Sequence, residues 1–220
     1  MVRHLDRSDA NGITAPQRTE NTSMTLEIKT LSGRDASPFF ADLARLRITV
    51  FRDFPYLYDG DLAYEQTYLA TYAKSEGSIF VLAIDDGKIV GASTGTPMEA
   101  ETDEVKAPFL ASDRNPADFL YFGESVLLPA YRGRGIGVTF FAEREDQARR
   151  LTLPFTTFCA VERPADHPRR PKDYMPLDTF WAKRGYRHHK ELRTTFTWRD
   201  LDETAESPKP LSFWIKDLYA

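Results

Sequence analysis

The sequence has little cysteine and no long apolar run. Cys159 is the only cysteine among 220 residues, so one chain cannot form an internal disulfide, which indicates a reducing compartment. Because Cys159 falls in an apolar, strand-like run, we expect a buried and unreactive thiol. No stretch approaches the ~20 apolar residues that cross a bilayer, and the N-terminus lacks the apolar segment of a secretory signal. We therefore expect a cytoplasmic protein without a membrane partner.

The sequence also lacks a strong excess of charge of either sign. It has 29 lysine and arginine residues against 33 aspartate and glutamate residues, a net charge of −4. Such a chain lacks the basic footprint of a nucleic-acid binder, so we expect no nucleic-acid partner. The pair His188 and His189 has no cysteine or paired carboxylate at metal-ligand spacing, and we predict no metal site.

The chain is long enough to bury the core of one domain, with 41% hydrophobic residues. Residues 1–23 are polar and show no periodicity, so we expect a disordered tail. Met24 precedes the first strand-like run and is the expected functional start. The predicted domain therefore spans residues 24–220.

Apolar periodicity along this domain alternates between strand and helix patterns and predicts a mixed α/β fold. The predicted strands are 25–29, 79–84, 88–96, 119–127, 155–161, 192–198 and 211–218. The predicted helices are 37–50, 62–74, 138–151 and 177–184. Residues 98–115 are charged and irregular, and we expect them to form a loop across the surface.

The most informative segment, residues 131–137, reads Tyr-Arg-Gly-Arg-Gly-Ile-Gly. It joins a strand-like run to an amphipathic helix, and its glycines let the backbone approach a ligand closely. Unpaired first-turn amides and the helix dipole favour an anion such as pyrophosphate, and Arg132 and Arg134 add two guanidinium groups. A P-loop would close with Lys-Ser or Lys-Thr, which residues 138–139 do not supply. A dinucleotide fold would place its glycines near the start of a βαβ unit, whereas these glycines lie past the middle of the chain.

This loop, with residues 127–131 before it, resembles the Arg/Gln-x-x-Gly-x-Gly/Ala signature of the GNAT superfamily of N-acetyltransferases. The order of predicted elements over residues 25–218 resembles that family as well. The resemblance implies an α/β (α+β) fold whose central sheet is mixed, mostly antiparallel and flanked by helices. The sheet is expected to splay between its fourth and fifth strands, residues 119–127 and 155–161. Acetyl-CoA is the implied co-substrate, and no metal is implied.

The resemblance also implies which residues hold acetyl-CoA. The backbone of the fourth strand bonds to the pantetheine amides, and the loop amides bond to the pyrophosphate. The implied cofactor-binding residues are Ser125, Val126, Leu127, Arg132, Gly133, Arg134, Gly135, Ile136, Gly137 and Val138.

Two catalytic roles follow from the same resemblance. An amine acceptor is mostly protonated at neutral pH and must lose a proton, and Glu124 in the fourth strand is the candidate general base. Many relatives have a tyrosine, which protonates the leaving thiolate, at the position of Trp181, whose indole cannot act as an acid. Tyr174 is therefore the candidate acid, with Tyr186 as a weaker substitute and protonation by solvent as the remaining alternative.

The aromatic loop at residues 51–59 is the implied acceptor site. Tyr56 and Tyr58 are predicted to stack on the acceptor, and Asp53 and Asp59 to hold a cationic amine. The predicted reaction is direct transfer of an acetyl group to a primary amine of a small molecule or a peptide.

Two alternatives to this function stay open at the level of the sequence. A non-catalytic acyl-CoA-binding module is favoured by Trp181, and a more distant alternative is a nucleotide enzyme that would prefer ATP or NAD to CoA. A homodimer is also an expectation, because the last strand, with Phe213, Trp214 and Ile215, could pair with an edge of a neighbouring molecule.

Overall fold

The fold of residues 26–220, which the computed structural model describes, is an eight-stranded sheet with helices on both faces. The strands are β1 (Leu26–Ser32), β2 (Ile79–Asp85), β3 (Lys88–Pro97), β4 (Phe119–Tyr121), β5 (Ser125–Leu127), β6 (Phe155–Val161), β7 (Arg187–Trp198) and β8 (Ser207–Asp217). The helices are α1 (Phe40–Phe51), α2 (Leu62–Lys74), α3 (Asp103–Leu110), α4 (Ile136–Arg150) and α5 (Asp178–Lys183). The predicted tail 1–23 lies outside the described residues.

The described strands run in the order β1–β2–β3–β4–β6–β8–β7. β5 pairs with an earlier part of β3 than β4 does, on the same side of β3. Only β4 and β6 are parallel to each other among these pairs, so the predicted mixed, mostly antiparallel sheet is confirmed. β8 is hydrogen-bonded on both sides, by β6 and β7. The expectation that β8 offers an edge to a neighbouring molecule is therefore wrong, because β1 and β7 are the edge strands.

Side chains of β2 alternate between the two faces of the sheet, and both faces are covered. Phe80 and Leu82 pack with apolar residues of α1 and α2, whereas Val81 and Ala83 pack with α4 around Phe140. Successive side chains of a strand point to opposite faces, so a strand that is apolar throughout needs helices on both sides. This arrangement puts α1 and α2 on one face and α4 on the other.

Residues 98–115 are not the surface loop that the sequence predicts. They contain α3, which buries Val105 and Phe109, and the Phe109 ring contacts Phe119 and Phe213 at 4.9 Å between centroids. Val105 and Phe109 lie four residues apart and share one helix face. The charged residues and Pro108 hide this short apolar stripe in the sequence.

The predicted strand 119–127 is two strands, β4 and β5, separated by a bulge. The amide of Gly123 donates to the Thr94 carbonyl at 3.2 Å, and the amide of Thr94 donates to the Glu124 carbonyl at 3.1 Å. Gly123 and Glu124 thus lie opposite the single residue Thr94, and such a bulge bends the strand. Pairing of β4 with β6 ends at the bond from the Phe122 amide to the Thr157 carbonyl, at 2.8 Å. This is where the resemblance places the splay.

Three elements, α1, β7 and β8, begin well away from their predicted starts. Arg34–Phe39 forms a 3-10 helix, so α1 begins at Phe40, and the Ser37 hydroxyl donates to the Arg34 carbonyl at 3.1 Å. β7 and β8 begin before residues 192 and 211, with an irregularity between His189 and Arg193. None of these differences changes the order of the elements.

Candidate active site

The glycine loop between β5 and α4 passes twice through left-handed backbone. Gly133 has a φ of 75° and Gly135 a φ of 84°, values that strain any residue with a Cβ atom. A Cβ atom at either position would meet no other atom within 4 Å. The glycines therefore serve the backbone conformation, and the space in front of the loop is open.

Five consecutive amides of this loop are available to an anion. Among the described residues, the amides of residues 133–137 have no hydrogen-bond acceptor. They lie directly before α4 and in its first turn, where the helix dipole adds positive potential. The amide of Val138 donates to the Gly135 carbonyl at 2.9 Å, so the predicted contribution of Val138 as an amide donor is wrong. The buried side chain of Ile136 anchors this end of α4 in the core.

The two arginines of the loop have different partners. Arg132 Nε donates to the Leu127 carbonyl at 3.2 Å and ties the loop to the end of β5. The Arg134 guanidinium lies over the Tyr131 ring, 5.1 Å from its centroid, and the Tyr131 hydroxyl donates to Asp85 at 2.7 Å. Both arginines are exposed, and each keeps N–H groups that can bind a phosphate.

One edge of β5 is used by β3. The Leu128 amide donates to the Val90 carbonyl at 2.9 Å, and the Glu124 carbonyl accepts from Thr94. Because hydrogen-bonded positions alternate in an antiparallel pair, the amide and carbonyl of Val126 also face β3. The predicted hydrogen bonding of a ligand by the Val126 backbone is therefore wrong, and its side chain is fully buried.

The other edge of β5 faces away from β3. The same alternation directs the backbone groups of Ser125 and Leu127 outward, and Arg132 already occupies the Leu127 carbonyl. An extended ligand that carries amides can add to such an edge like another strand. Ser125 and Leu127 thus fit the predicted role, next to the open amides of the glycine loop.

The Glu124 side chain lies in a buried ion-pair cluster. Glu124 is 7% exposed, and its Oε2 lies 2.7 Å from Nη1 of Arg47, an ion pair in which neither atom has hydrogen-bond alignment. Arg47 Nε donates to the Glu65 carboxylate. Burial alone lowers the pKa of Arg47, but attraction by Glu124, Tyr68 and Glu65 outweighs burial and raises this pKa. With two carboxylates and one guanidinium, the cluster has an excess of negative charge.

The predicted acceptor residues Tyr56 and Tyr58 lie beside this cluster. Burial, and then the negative charge of the Cys159 thiolate form, raises the pKa of Tyr56, and Glu124 acts in the same direction. Burial, and then the Glu65 carboxylate, raises the pKa of Tyr58. Both phenols therefore keep their protons at neutral pH. The half-buried Cys159 thiol, whose pKa burial raises to about 12, stays protonated too.

The acidic residues of the aromatic loop are Asp53 and Asp59, and neither pairs with Arg47 of the cluster. Asp59 pairs with Arg199 and, at 3.4 Å, with Arg52, and Asp53 is exposed. Asp59 follows Tyr58 directly but is already paired with two arginines, and its predicted contact with a cationic acceptor stays a prediction. Asp59 fastens the loop to the segment that follows β7.

The candidate acid Tyr174 lies on the loop between β6 and α5. Its ring contacts Phe54 edge-on at 4.7 Å, the Arg170 guanidinium lies 4.8 Å from its centroid, and burial raises its pKa. Because Phe54 and Tyr56 belong to the same aromatic loop, this ring contact brings Tyr174 to the loop that carries Tyr56.

Trp181 of α5 and Tyr186, which follows α5, have structural roles. Tyr186 is 2% exposed, and its hydroxyl bonds to Thr156 at 2.8 Å and donates to Glu145 at 3.3 Å. The expectation of Tyr186 as a substitute acid is therefore wrong. Trp181 packs on Phe158 and Trp214 at 5.1 Å between centroids, which gives the indole a core-packing role.

Residues 43–171, more than half of the chain, match the sequence profile of the acetyltransferase (GNAT) family. The chain belongs to this family. The match begins in α1 and includes the bulge, β5, the glycine loop, α4 and β6, so the GNAT profile covers every element that frames the gap between β5 and β6.

Solved structures of GNAT proteins share the fold. The ribosomal-protein-alanine N-acetyltransferase of Brucella melitensis is 14% identical, with a TM-score of 0.56, covering 87% of this chain and 99% of that one. The yncA protein of Salmonella typhimurium, solved with its cofactor acetyl-CoA, is 11% identical, with a TM-score of 0.55 over 89% and 95%. The paiA N-acetyltransferase of Thermoplasma acidophilum, in complex with coenzyme A, is 12% identical, with a TM-score of 0.51 over 88% and 99%.

Other comparisons add less about this GNAT protein. No curated protein matches the chain. Within residues 26–220, no helix has the length and apolar character to cross a membrane, and no cluster of three histidine, cysteine or acidic side chains there could hold a metal ion.

Sequence reasoning misses several residues of this GNAT site. Arg144 in α4 is 1% exposed and donates to backbone and hydroxyl oxygens around the bulge. Its signal is the helical spacing with the buried Phe140 and Ala148, four residues to either side. Tyr72, which reaches the bulge, and Glu101, which accepts from the Tyr72 hydroxyl, have no comparable local signal.

Proposed function

We propose that this GNAT protein transfers the acetyl group of acetyl-CoA directly to the primary amine of a small molecule or a peptide. The observation that carries the proposal is the continuity of two binding surfaces. Five open amides of the glycine loop stand next to the outward edge of β5. The first suits a pyrophosphate, and the second suits an extended arm that carries amides.

The residues at these surfaces fit acetyl-CoA. The amides of residues 133–137 would hold the pyrophosphate, with Arg132 and Arg134 beside it, and Ser125 and Leu127 would bond to the pantetheine arm. When bound, acetyl-CoA supplies a thioester carbonyl that an amine can attack. The fit rests on open space at Gly133 and Gly135, where a Cβ atom would have no neighbour.

The acceptor amine would lie at the other end of the gap, near the bulge. Tyr56 and Tyr58 provide aromatic surface for it, and the cluster of Glu124, Glu65 and Arg47 provides net negative charge. This charge favours a cationic acceptor over an anionic one. Glu124 is almost fully enclosed and paired with Arg47, which leaves the role of proton acceptor open to a second carboxylate.

The reaction converts an ammonium group and a thioester into an amide, a thiol and one free proton. The ammonium nitrogen loses two protons, a C–N bond forms and the C–S bond breaks. One proton leaves before the attack, and the second is balanced by the proton that the thiolate takes up. We assign that last donation to Tyr174, which keeps its proton at neutral pH because burial raises its pKa.

The first experiment measures acetyl-CoA binding by calorimetry with the native protein, Gly135→Glu and Gly87→Glu. Glutamate at 135 repels phosphate and fills the space before the amides. Gly87, in the turn between β2 and β3, is a matched control because its φ is 71° and a Cβ atom there also has no neighbour within 4 Å. We expect micromolar binding by the native protein and Gly87→Glu, and none by Gly135→Glu.

Thiol release with a panel of primary amines then tests the reaction. The panel holds putrescine, spermidine, benzylamine, tyramine and a lysine-containing peptide. Amine-dependent thiol release supports acetyl transfer, and mass spectrometry of the amine shows the added acetyl group. Binding of acetyl-CoA without release with any amine would favour the alternative, a non-catalytic acyl-CoA-binding module. Absence of acetyl-CoA binding would contradict both functions.

A further inference from the structure

The hydroxyl group of Tyr72 reaches the bulge between β4 and β5. Tyr72 lies in α2 and is 6% exposed, and a Cβ atom at Gly123 would come within 2.5 Å of its hydroxyl oxygen. Only a residue without a side chain leaves room for this hydroxyl at the bulge. Gly123 directly follows the last residue that bonds to β6, so Tyr72 stands where β4 and β6 part.

One buried polar atom beside this hydroxyl, and a second on the neighbouring bulge residue Glu124, have no hydrogen-bond partner among the described residues. The Thr94 hydroxyl, on a residue 1% exposed, lies 2.8 Å from the position that a Gly123 Cβ atom would take. The second atom is Oε2 of Glu124. Buried polar atoms are nearly always paired, so the unpaired Thr94 hydroxyl indicates a place for a ligand that donates a hydrogen bond, and the Glu124 carboxylate of the same bulge, although ion-paired with Arg47, adds negative charge. An ammonium group is such a donor.

The Tyr72 hydroxyl is itself a donor to a second carboxylate, Glu101, which follows the 3-10 turn after β3. Unlike Glu124, Glu101 is only half-buried, so a proton on it can exchange with water. Its Oε2 accepts from the Thr102 amide at 3.4 Å. Tyr72 and Glu101 thus form a path from the bulge to solvent.

The surroundings of Glu101 hold little compensating positive charge. Burial raises its pKa, although bonds from Tyr72 and the Thr102 amide oppose this shift. Several titratable groups interact electrostatically with Glu101. They are Tyr68 and Tyr72 of α2, Lys106 of α3, Tyr121 of β4, Glu124 of the bulge, and Cys159 of β6. Lys106, the single cation in this set, also contacts Asp103 at 3.3 Å. A proton acceptor works best when its pKa lies near the operating pH.

We propose that Tyr72 and Glu101 carry the proton of the acceptor ammonium away from the bulge, and that Glu101 is its terminal acceptor. The ammonium gives a proton to the Tyr72 oxygen while the Tyr72 proton moves to the Glu101 carboxylate. The amine nitrogen keeps its electron pair, Tyr72 is unchanged after the step, and Glu101 releases the proton to water. This proposal rests on the proposed acetyl transfer.

Glu124 has a different role from Glu101 in the proposed proton transfer. Its carboxylate is 3% exposed and lies on the Arg47 guanidinium, so it has no route to water comparable with that of Glu101. Its negative charge would hold the ammonium at the bulge, next to Tyr72. Glu124→Gln should therefore raise KM for the amine, whereas Glu101→Gln should lower kcat.

The test compares Glu101→Gln and Tyr72→Phe with Glu99→Gln, an exposed acid two residues away in the same turn. The probes are the panel amine with the fastest thiol release and an analogue with enough β-fluorine atoms to make its amine mostly neutral at neutral pH, so that no proton has to leave before the attack. We expect Glu101→Gln and Tyr72→Phe to lower kcat on the basic amine by on the order of 100-fold. The loss should largely disappear on the fluorinated amine, and Glu99→Gln should match the native protein on both.

A readout without turnover is a carboxyl NMR titration of glutamate-labelled protein. We expect one resonance to titrate at higher pH than an exposed glutamate and to be missing in Glu101→Gln. Unchanged kcat in Glu101→Gln, or an equal loss on both amines, would overturn the relay while amine-dependent thiol release upheld the acetyl transfer. Absence of thiol release with every amine would overturn the proposed function and the relay with it. Native-like calorimetric binding of acetyl-CoA by both variants shows that they are folded.

Discussion

Arg144 in α4 donates a hydrogen bond to the carbonyl oxygen of Glu124 at 3.1 Å, while the Glu124 carboxylate pairs with Arg47 in α1. The same Arg144 nitrogen donates to the Thr94 carbonyl at 3.1 Å, and its Nη2 donates to the Ser125 hydroxyl at 2.8 Å. Two arginines on opposite faces of the sheet thus fix the backbone and the side chain of one residue. The bulge is held from both sides.

Arg144→Met should destabilise the fold and distort the bulge. The substitution removes one of the two donors that each of the Thr94 and Glu124 carbonyls has in a buried site, at a cost of roughly 2–4 kcal/mol in the free energy of unfolding. Urea denaturation measures this loss. Since Ser125 begins the strand that we propose binds the pantetheine arm, calorimetry should also show weaker acetyl-CoA binding.

Arg150→Met is the control for this change. Arg150 ends the same helix, is exposed and bonds only to Gln147 among the described residues, so the loss of stability should stay below about 0.5 kcal/mol. Equal stability of Arg144→Met and Arg150→Met would contradict a role of Arg144 in holding the bulge.

The glycine loop could be predicted from the sequence because its determinants are local. Positive φ at Gly133 and Gly135 and the helix that follows depend on residues within one turn. The loop therefore has the open amides that the spacing predicts, apart from Val138, whose amide closes the first turn of α4.

The bulge could not be predicted in the same way. It depends on Tyr72, which arrives from α2 and requires a residue without a side chain at position 123. A run of apolar residues from 119 to 127 indicates a continuous strand, because periodicity carries no information about distant partners. Arg144 is hidden for a related reason, since a charged residue in a helix usually faces water.

Arg163→Gln should loosen the aromatic loop that carries the proposed acceptor site. Arg163 donates to the carbonyls of Pro55 and Tyr56, each at 2.8 Å, and makes two bonds to the buried Asp200 at 2.8 and 2.9 Å. Removing one partner of a buried ion pair costs about 3–5 kcal/mol. We expect KM for the amine to rise, and calorimetry to show unchanged acetyl-CoA binding.

The control for Arg163 is Arg169→Gln, which removes an exposed arginine 3.9 Å from Asp202 in the neighbouring part of the structure. It should leave stability and KM unchanged. A rise in KM for the amine in both variants would indicate a general charge effect and would argue against a specific role of Arg163.

Tyr174→Phe tests the donor of the thiolate proton. The substitution keeps the ring contact with Phe54 and removes only the hydroxyl. If Tyr174 is the acid, kcat should fall on the order of 100-fold, with little change in KM for either substrate. Tyr219→Phe, at a residue 66% exposed, is the control.

The pH dependence of kcat independently tests Tyr174 as the acid that protonates the thiolate. Burial raises its pKa, and an acid must be protonated to donate. The native rate should therefore hold through neutral pH and fall only when the pH exceeds the usual tyrosine value of about 10. This alkaline fall should be absent in Tyr174→Phe, and kcat equal to that of the native protein would show that solvent protonates the thiolate.

Glu203→Gln should destabilise the protein in a pH-dependent way. The bond from Lys209, then those from the Asp200 amide and Ser207, lower the pKa of Glu203 from 4.5 to about 2. A carboxyl whose pKa is lower in the folded state stabilises that state fully above the unfolded value, and this contribution is lost as pH falls to the folded value. The melting temperature of Glu203→Gln should therefore lie below that of the native protein at pH near 7.

This difference in melting temperature should shrink as the pH falls from about 4.5 to about 2, since both proteins then carry a neutral group at position 203. Glu206→Gln, at an exposed acid of the same loop, should melt like the native protein throughout. A difference between Glu203→Gln and the native protein that stays constant down to low pH would show that packing matters at this position and the charge does not. In that case the bonds that Lys209 donates to Glu203, at 2.7 and 2.9 Å, would hold the loop before β8 only weakly.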